Sequence, residues 1–170
     1  MRSTAPDDPS GFSAFYRESR PSCVRATVVT VCDIDRAEEY VDEAFALAYE
    51  RWRRLRRHPN PQGWIVRTAV NLSRKQWHRR NREDELTPPA SLVPPPPEPM
   101  DEKILDALLA LPERQREVIA HRIVLQASTK EAAEALDITP STVTVHLHRA
   151  MRALREHPDV RGLLGEGEVG

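Results

Sequence analysis

The chain has 170 residues, a net charge of −1, 39% hydrophobic content and only 5% aromatic content. That length holds one ordinary domain or two small ones, and so few aromatics argue against one large core. The near-zero charge hides segregation: Arg36 is the sole base in residues 33–50, whereas residues 51–82 carry eleven lysines and arginines and no acid.

From the N-terminus, Phe12, Phe15, Tyr16, Val24, Val28 and Val31 recur at helical steps, and Pro21 predicts a kink or a restart within that helix. Asp35 with Glu38 reads as an N-cap and its capping-box partner. The helix that follows carries Ala37, Val41, Ala44, Ala48, Trp52 and Leu55 on one stripe. Residues 58–63, HPNPQG, break it. A third helix is predicted over about 64–82, with Ile65, Thr68, Ala69 and Leu72 facing inward. Residues 81–100, NREDELTPPASLVPPPPEPM, cannot build a core. They read either as an extended polyproline spacer, at most about 60 Å long at about 3.1 Å per residue, or as a spacer without set geometry.

A second helical unit begins near Asp101. Ile104, Leu105, Leu108, Leu109 and Leu111 precede Pro112, and Val118, Ile119, Ile123 and Val124 follow on another helix. Residues 129–143, TKEAAEALDITPSTV, then read as a helix, a turn and a second helix opened by Thr139 as N-cap and Pro140 as first residue. This is the helix-turn-helix pattern whose second helix enters the major groove of DNA. Val143, Leu147, Ala150 and Leu154 form its inward stripe. Ser141, Val145, His148 and Arg152, flanked by Thr144 and Arg149, form the opposite face. Hydroxyls, arginines and a valine suit phosphates, base edges and a thymine methyl. A solvated amphipathic helix is the blander reading; caps, turn and polar face together favour DNA. Residues 162–170 read as a frayed tail.

The basic block also supports two readings. Charge runs usually mark solvated faces, but here Trp52, Trp64, Trp77 and Asn71 accompany the cations, a combination suited to single-stranded DNA. Trp52 and Trp64 fall on apolar stripes and equally read as core. Asp42 and Glu43 are adjacent on a helix and so diverge by about 100°, which suits a docking face rather than paired acid–base catalysis. His146 and His148 point to different sides of their helix, against a metal site. Cys23 and Cys32 lack disulfide or metal-ligand spacing. No apolar run has the length of a membrane span, and no signal-peptide pattern opens the chain, so the cytoplasm is expected. No cofactor motif and no catalytic constellation is found.

AEEYVDEAFALAYERW (37–52) followed by WIVRTAVNLSRKQWHRR (64–80) resembles region 2 of the extracytoplasmic-function sigma factors, small members of the sigma-70 family. LPERQREVIAHRIVLQASTKEAAEALDITPSTVTVHLHRAMRALRE (111–156) resembles their region 4. The resemblance implies an all-α protein of two small helical domains: a region 2-like domain over 10–82, a proline-rich linker over 83–100, a region 4-like domain over 101–157 and a flexible tail over 158–170. It implies no enzyme but a factor that directs core RNA polymerase to promoters and supports melting and initiation. By position, Val41, Asp42, Glu43, Phe45 and Ala48 would dock the β′ clamp, with the β flap as a second contact. Asn60, Arg67, Asn71, Arg74 and Lys75 would capture the −10 element. Ser141, Thr144, Val145, His146, His148, Arg149 and Arg152 would read the −35 element. Promoter DNA, core polymerase and an anti-sigma factor are the implied partners, at the nucleoid. Asp137 stands where a turn glycine is usual, and aspartate tolerates the left-handed geometry needed there. The competing reading is a stand-alone helix-turn-helix regulator.

Overall fold

A computed structural model describes residues 11–82 and 100–165, and among these all regular structure is helical. Residues 83–99 of the expected linker and 166–170 of the expected tail lie outside the described residues. In chain order the helices are α1 (Phe12–Val31), α2 (Ile34–Glu50), α3 (Trp52–Leu55), α4 (Pro61–Arg82), α5 (Glu102–Leu109), α6 (Glu113–Ile119), α7 (Thr129–Leu136), α8 (Pro140–Glu156) and α9 (Pro158–Gly165). A π turn, Ala120–Val124, extends α6.

α1 runs through Pro21 without a restart. The proline lies on the exposed face, so the carbonyl it leaves unpaired meets water. Cys23, Ala26 and Thr27, each fully buried, hold the next turns in place. The cap of α2 is likewise Asp33 rather than Asp35. Asp33 has the extended backbone of a cap, and its carboxylate accepts from the Arg36 amide at 3.1 Å, while Asp35 lies in the first turn, favourably placed for the helix dipole. The stripe Ala37, Val41, Ala44, Ala48, Trp52 and Leu55 is buried as its spacing predicts, although the helix yields to α3 after Arg51. α1, α2 and α4 pack around it, with Phe15 stacked on Trp52 at 5.1 Å and Tyr16 edge-on to Phe45 at 4.9 Å.

The second half begins with Asp101 capping α5. Ser128 and Glu131 close a full capping box on α7, with bonds of 3.1 and 2.8 Å. Asp137 ends that helix at φ 55°, ψ 47°, the left-handed conformation expected of it. Thr139 then caps α8, its hydroxyl accepting from the Thr142 amide at 3.2 Å, with Pro140 as first residue. Val118, Ala132, Ala133, Leu136 and Val143 form the small core that sets α8 against α7. Where a flexible tail was expected, residues 158–165 form α9, which packs against α5 and α8. A buried cluster runs from Cys23, Phe45 and Val66 in the first half to Leu111, Ile119 and Ala150 in the second, so the two halves lie against each other.

Candidate nucleic-acid interface

The acidic helix α2 divides its predicted residues between two environments. Val41, Phe45 and Ala48 are buried in the core at 0, 2 and 0% exposure, so the interior takes up most of their surface; Asp42 and Glu43 are exposed. The physical reason is the helical period: the positions that continue the Ala37–Leu55 stripe must fill the interior. Arg20 grips Asp42 through two hydrogen bonds of 2.7 and 2.9 Å, and this partner raises the guanidinium pKa. Phe12, Tyr16, Asp42, Phe45, Ala46 and Tyr49 line a shallow groove of about 460 Å³ along this face. The sequence places Tyr16 on the apolar stripe of α1, and Tyr49, 46% exposed, carries no signal that separates it from a core aromatic.

The loop before α4 is built by Asn60. Its side-chain oxygen accepts from the Gly63 amide at 2.9 Å, and its own amide donates to His58 Nδ1 at 3.0 Å. A Cβ at Gly63 would force the Asn60 side chain to move, since that side chain's oxygen would lie only 2.9 Å from it. Asn60 therefore acts first as a cap that shapes the loop. Beside it, Arg51, Arg54, Leu55, Arg57, His58 and Trp64 border a pocket of about 420 Å³ with cations at its rim. Trp52 is core, Trp64 is half-buried at the pocket edge, and Trp77 is 58% exposed further along α4.

Arg67, Asn71, Arg74 and Lys75 recur at three- and four-residue steps and share one face of α4. Asn71 and Lys75 are exposed. Arg67 and Arg74 instead reach the second half. Arg67 donates to the Ala135 carbonyl in the last turn of α7 at 2.7 Å. Arg74 donates to Glu113 at 3.0 Å and to Glu117 at 2.7 Å. Burial alone would lower the Arg74 pKa, but the two carboxylates outweigh it and raise it.

On α8, Ser141, Thr144, Val145, His148, Arg149 and Arg152 are all exposed, opposite the buried Val143 and Ala150. Arg152 forms an i,i+4 pair with Glu156 at 3.2 Å, both ends open to solvent and therefore easily released. His146 is set apart from this face: it is half-buried, and its Nδ1 is enclosed without a protein partner. Among the described residues no group of histidine, cysteine or acidic side chains could hold a metal ion, and no helix is long and apolar enough to cross a membrane.

The layout is that of a helical DNA reader in which a helix-turn-helix follows a cation-rich helix. Residues 101–154 match the family model of Sigma-70, region 4. An RNA polymerase sigma-E factor of Streptomyces coelicolor is 30% identical over 161 residues, covering 89% of this chain and 88% of that protein. The sigma-E factor of Streptomyces antibioticus is 30% identical over 156 residues, covering 89% and 87%. The fold is similar to the sigma factor RpoE in its complex with the anti-sigma factor NepR from Bartonella quintana, with a TM-score of 0.69, 20% identity and coverage of 85% of this chain and 94% of that one. The chain belongs to the extracytoplasmic-function sigma factors of the sigma-70 family. Its function is that of the class, promoter-directed initiation of transcription.

Proposed function

We propose that three surfaces divide this work, and that the chain acts on core RNA polymerase and promoter DNA in the cytoplasm, at the nucleoid. The exposed acids of α2, Asp42 and Glu43, with the aromatic groove between α1 and α2, dock the β′ clamp. The β flap is the second polymerase contact. The loop pocket beside Asn60 receives a base of the separated −10 strand, while Arg67, Asn71, Arg74 and Lys75 follow its phosphates. Cations along one helix face supply sequence-independent attraction, and a concave pocket beside them supplies selection. The exposed face of α8 reads the −35 element in the major groove, with Arg149 and Arg152 suited to guanine or phosphate and Val145 to a thymine methyl. An anti-sigma factor is a further partner in this reading, since the structurally similar RpoE is held in a complex with one.

The observation that carries this reading is the capped α7–α8 unit, which leaves a polar, cationic face of α8 exposed while its apolar face is fixed in a core. A region that recognises duplex DNA alone would also suit a stand-alone regulator. The acidic docking face and the basic loop pocket on the first half favour the sigma reading. Gel filtration with purified bacterial core polymerase separates the two. Co-elution that is lost in the Asp42→Lys/Glu43→Lys variant supports the docking face. Tight promoter binding by the free protein, without co-elution, supports the regulator.

A further inference from the structure

Phe12, Tyr16 and Arg20 fall about one helical turn apart on α1, and Tyr49, Phe45 and Asp42 do the same, in the opposite sense, on α2. They meet as three successive rungs. Phe12 lies edge-on to Tyr49 at 5.1 Å, Tyr16 lies edge-on to Phe45 at 4.9 Å, and Arg20 grips Asp42. The two aromatic rungs line the docking groove, and the ionic rung closes its end. This is where α1 needs a fastening. Gly11 gives the helix no side-chain cap, and Pro21 has no amide to bond the Arg17 carbonyl, so the turns that carry Phe12 and Tyr16 are the less firmly held part of α1. Arg20 Nε and Nη2 donate to Oδ1 and Oδ2 of Asp42 at 2.7 and 2.9 Å, a two-pronged geometry that lifts the pair above an ordinary exposed ion pair. The Tyr16 hydroxyl also donates to Oδ1, at 3.4 Å, so both lone pairs of that oxygen are engaged. Glu43, the next residue, is exposed and has no such partner among the described residues.

We infer that Arg20 is a positioning residue for polymerase docking: its hold on Asp42 fixes the first turns of α1 against α2 and makes Asp42 an internal anchor of the groove, leaving Glu43 as the acid that meets a cation of the partner. The inference rests on the docking role proposed above for this face, and it separates the two adjacent acids. At position 43 the partner meets the charge itself. At position 42 the charge is neutralised by Arg20, and what docking requires is an intact pair, in either orientation. Loss of Arg20 therefore weakens docking, although it leaves both acids in place and makes the face more acidic. A surface that attracted the polymerase by its total negative charge would bind more tightly after the same change.

In the test, full-length variants compete with the fluorescein-labelled parent for purified bacterial core polymerase, followed by anisotropy, and circular dichroism checks that each variant is folded. Arg20→Ala and Asp42→Arg are each expected to bind about tenfold more weakly than the parent. The exchange Arg20→Asp/Asp42→Arg, which keeps the net charge at −1, is expected to return to within about threefold of the parent. If the exchanged protein has lost helix, Arg20→Gln/Asp42→Asn takes its place with the same expectation, since the two amides can still hydrogen-bond across the rung. Binding by Arg20→Ala equal to or tighter than that of the parent overturns the inference. So does a compensated pair that binds no better than Asp42→Arg alone. Failure of the labelled parent to bind core polymerase at all overturns the docking role and the inference with it, so the two failures are distinguishable.

Discussion

Lowering the pH from 7 to 5 should destabilise this protein by about 2 kcal/mol more than it destabilises a His121→Leu variant. His121 sits on the π turn after α6, 2% exposed, with Nδ1 lacking a protein partner. Burial, aided by the nearby charge of Arg67, lowers its pKa from 6.5 to about 4. The fold therefore favours the neutral ring. Its contribution is fully present above pH 6.5 and is lost as the pH falls toward 4, at about 1.4 kcal/mol per unit within that window. Between pH 7 and 5 this comes to about 2 kcal/mol. Leucine has no proton to take up and removes the enclosed, unpaired nitrogen, so the variant should be at least as stable as the parent at pH 7. Urea denaturation at both pH values, parent against variant, isolates the term, because the carboxylates that also titrate are common to both. An identical loss in the two proteins would refute it, and would mean that His121 is not held neutral by its surroundings.

Val143, fully buried where α8 meets α7, should lose about 2 kcal/mol on change to alanine, read as a lower urea midpoint with unchanged slope. Arg149→Ala, at an exposed position on α8, should weaken −35 recognition by about 1–3 kcal/mol and leave polymerase binding intact; this is measured as promoter competition in run-off transcription. Asn71→Ala, exposed on α4, should impair strand opening more than initial promoter binding, seen as reduced permanganate reactivity of −10 thymines at equal occupancy. Gly63→Ala should cost about 1 kcal/mol or more of thermal stability by displacing the Asn60 cap, together with loss of strand capture by the loop.

The elements of this fold were largely legible because helical periodicity and caps are local signals. Thr139-Pro140, Asp101 and the Ala37–Leu55 stripe each declare themselves within a few residues. Errors arose where two local signals compete. Asp33 and Asp35 are both good caps, and only backbone geometry chooses Asp33. Pro21 usually breaks a helix, but it falls on the solvent face of a helix whose other side is firmly packed. α9 was read as tail because glycines dominate its end, whereas its docking on α5 and α8 depends on the tertiary fold. The candidate site was legible in part. The exposed face of α8 follows from its period, but alignment by resemblance also assigned Val41, Phe45 and Ala48 to a partner when the interior already uses them. The pairing of Arg74 with Glu113 and Glu117, about forty positions apart, has no signature in either helix alone.

Run-off transcription with purified bacterial core polymerase on fragments of the source genome, with and without the protein, asks whether the chain itself selects promoters. New start sites should appear only with the protein, share two spaced upstream motifs, and fall away in the Arg149→Ala and Asn71→Ala variants. Equal transcripts with and without the protein, while the free protein still binds promoter duplexes tightly, would contradict it.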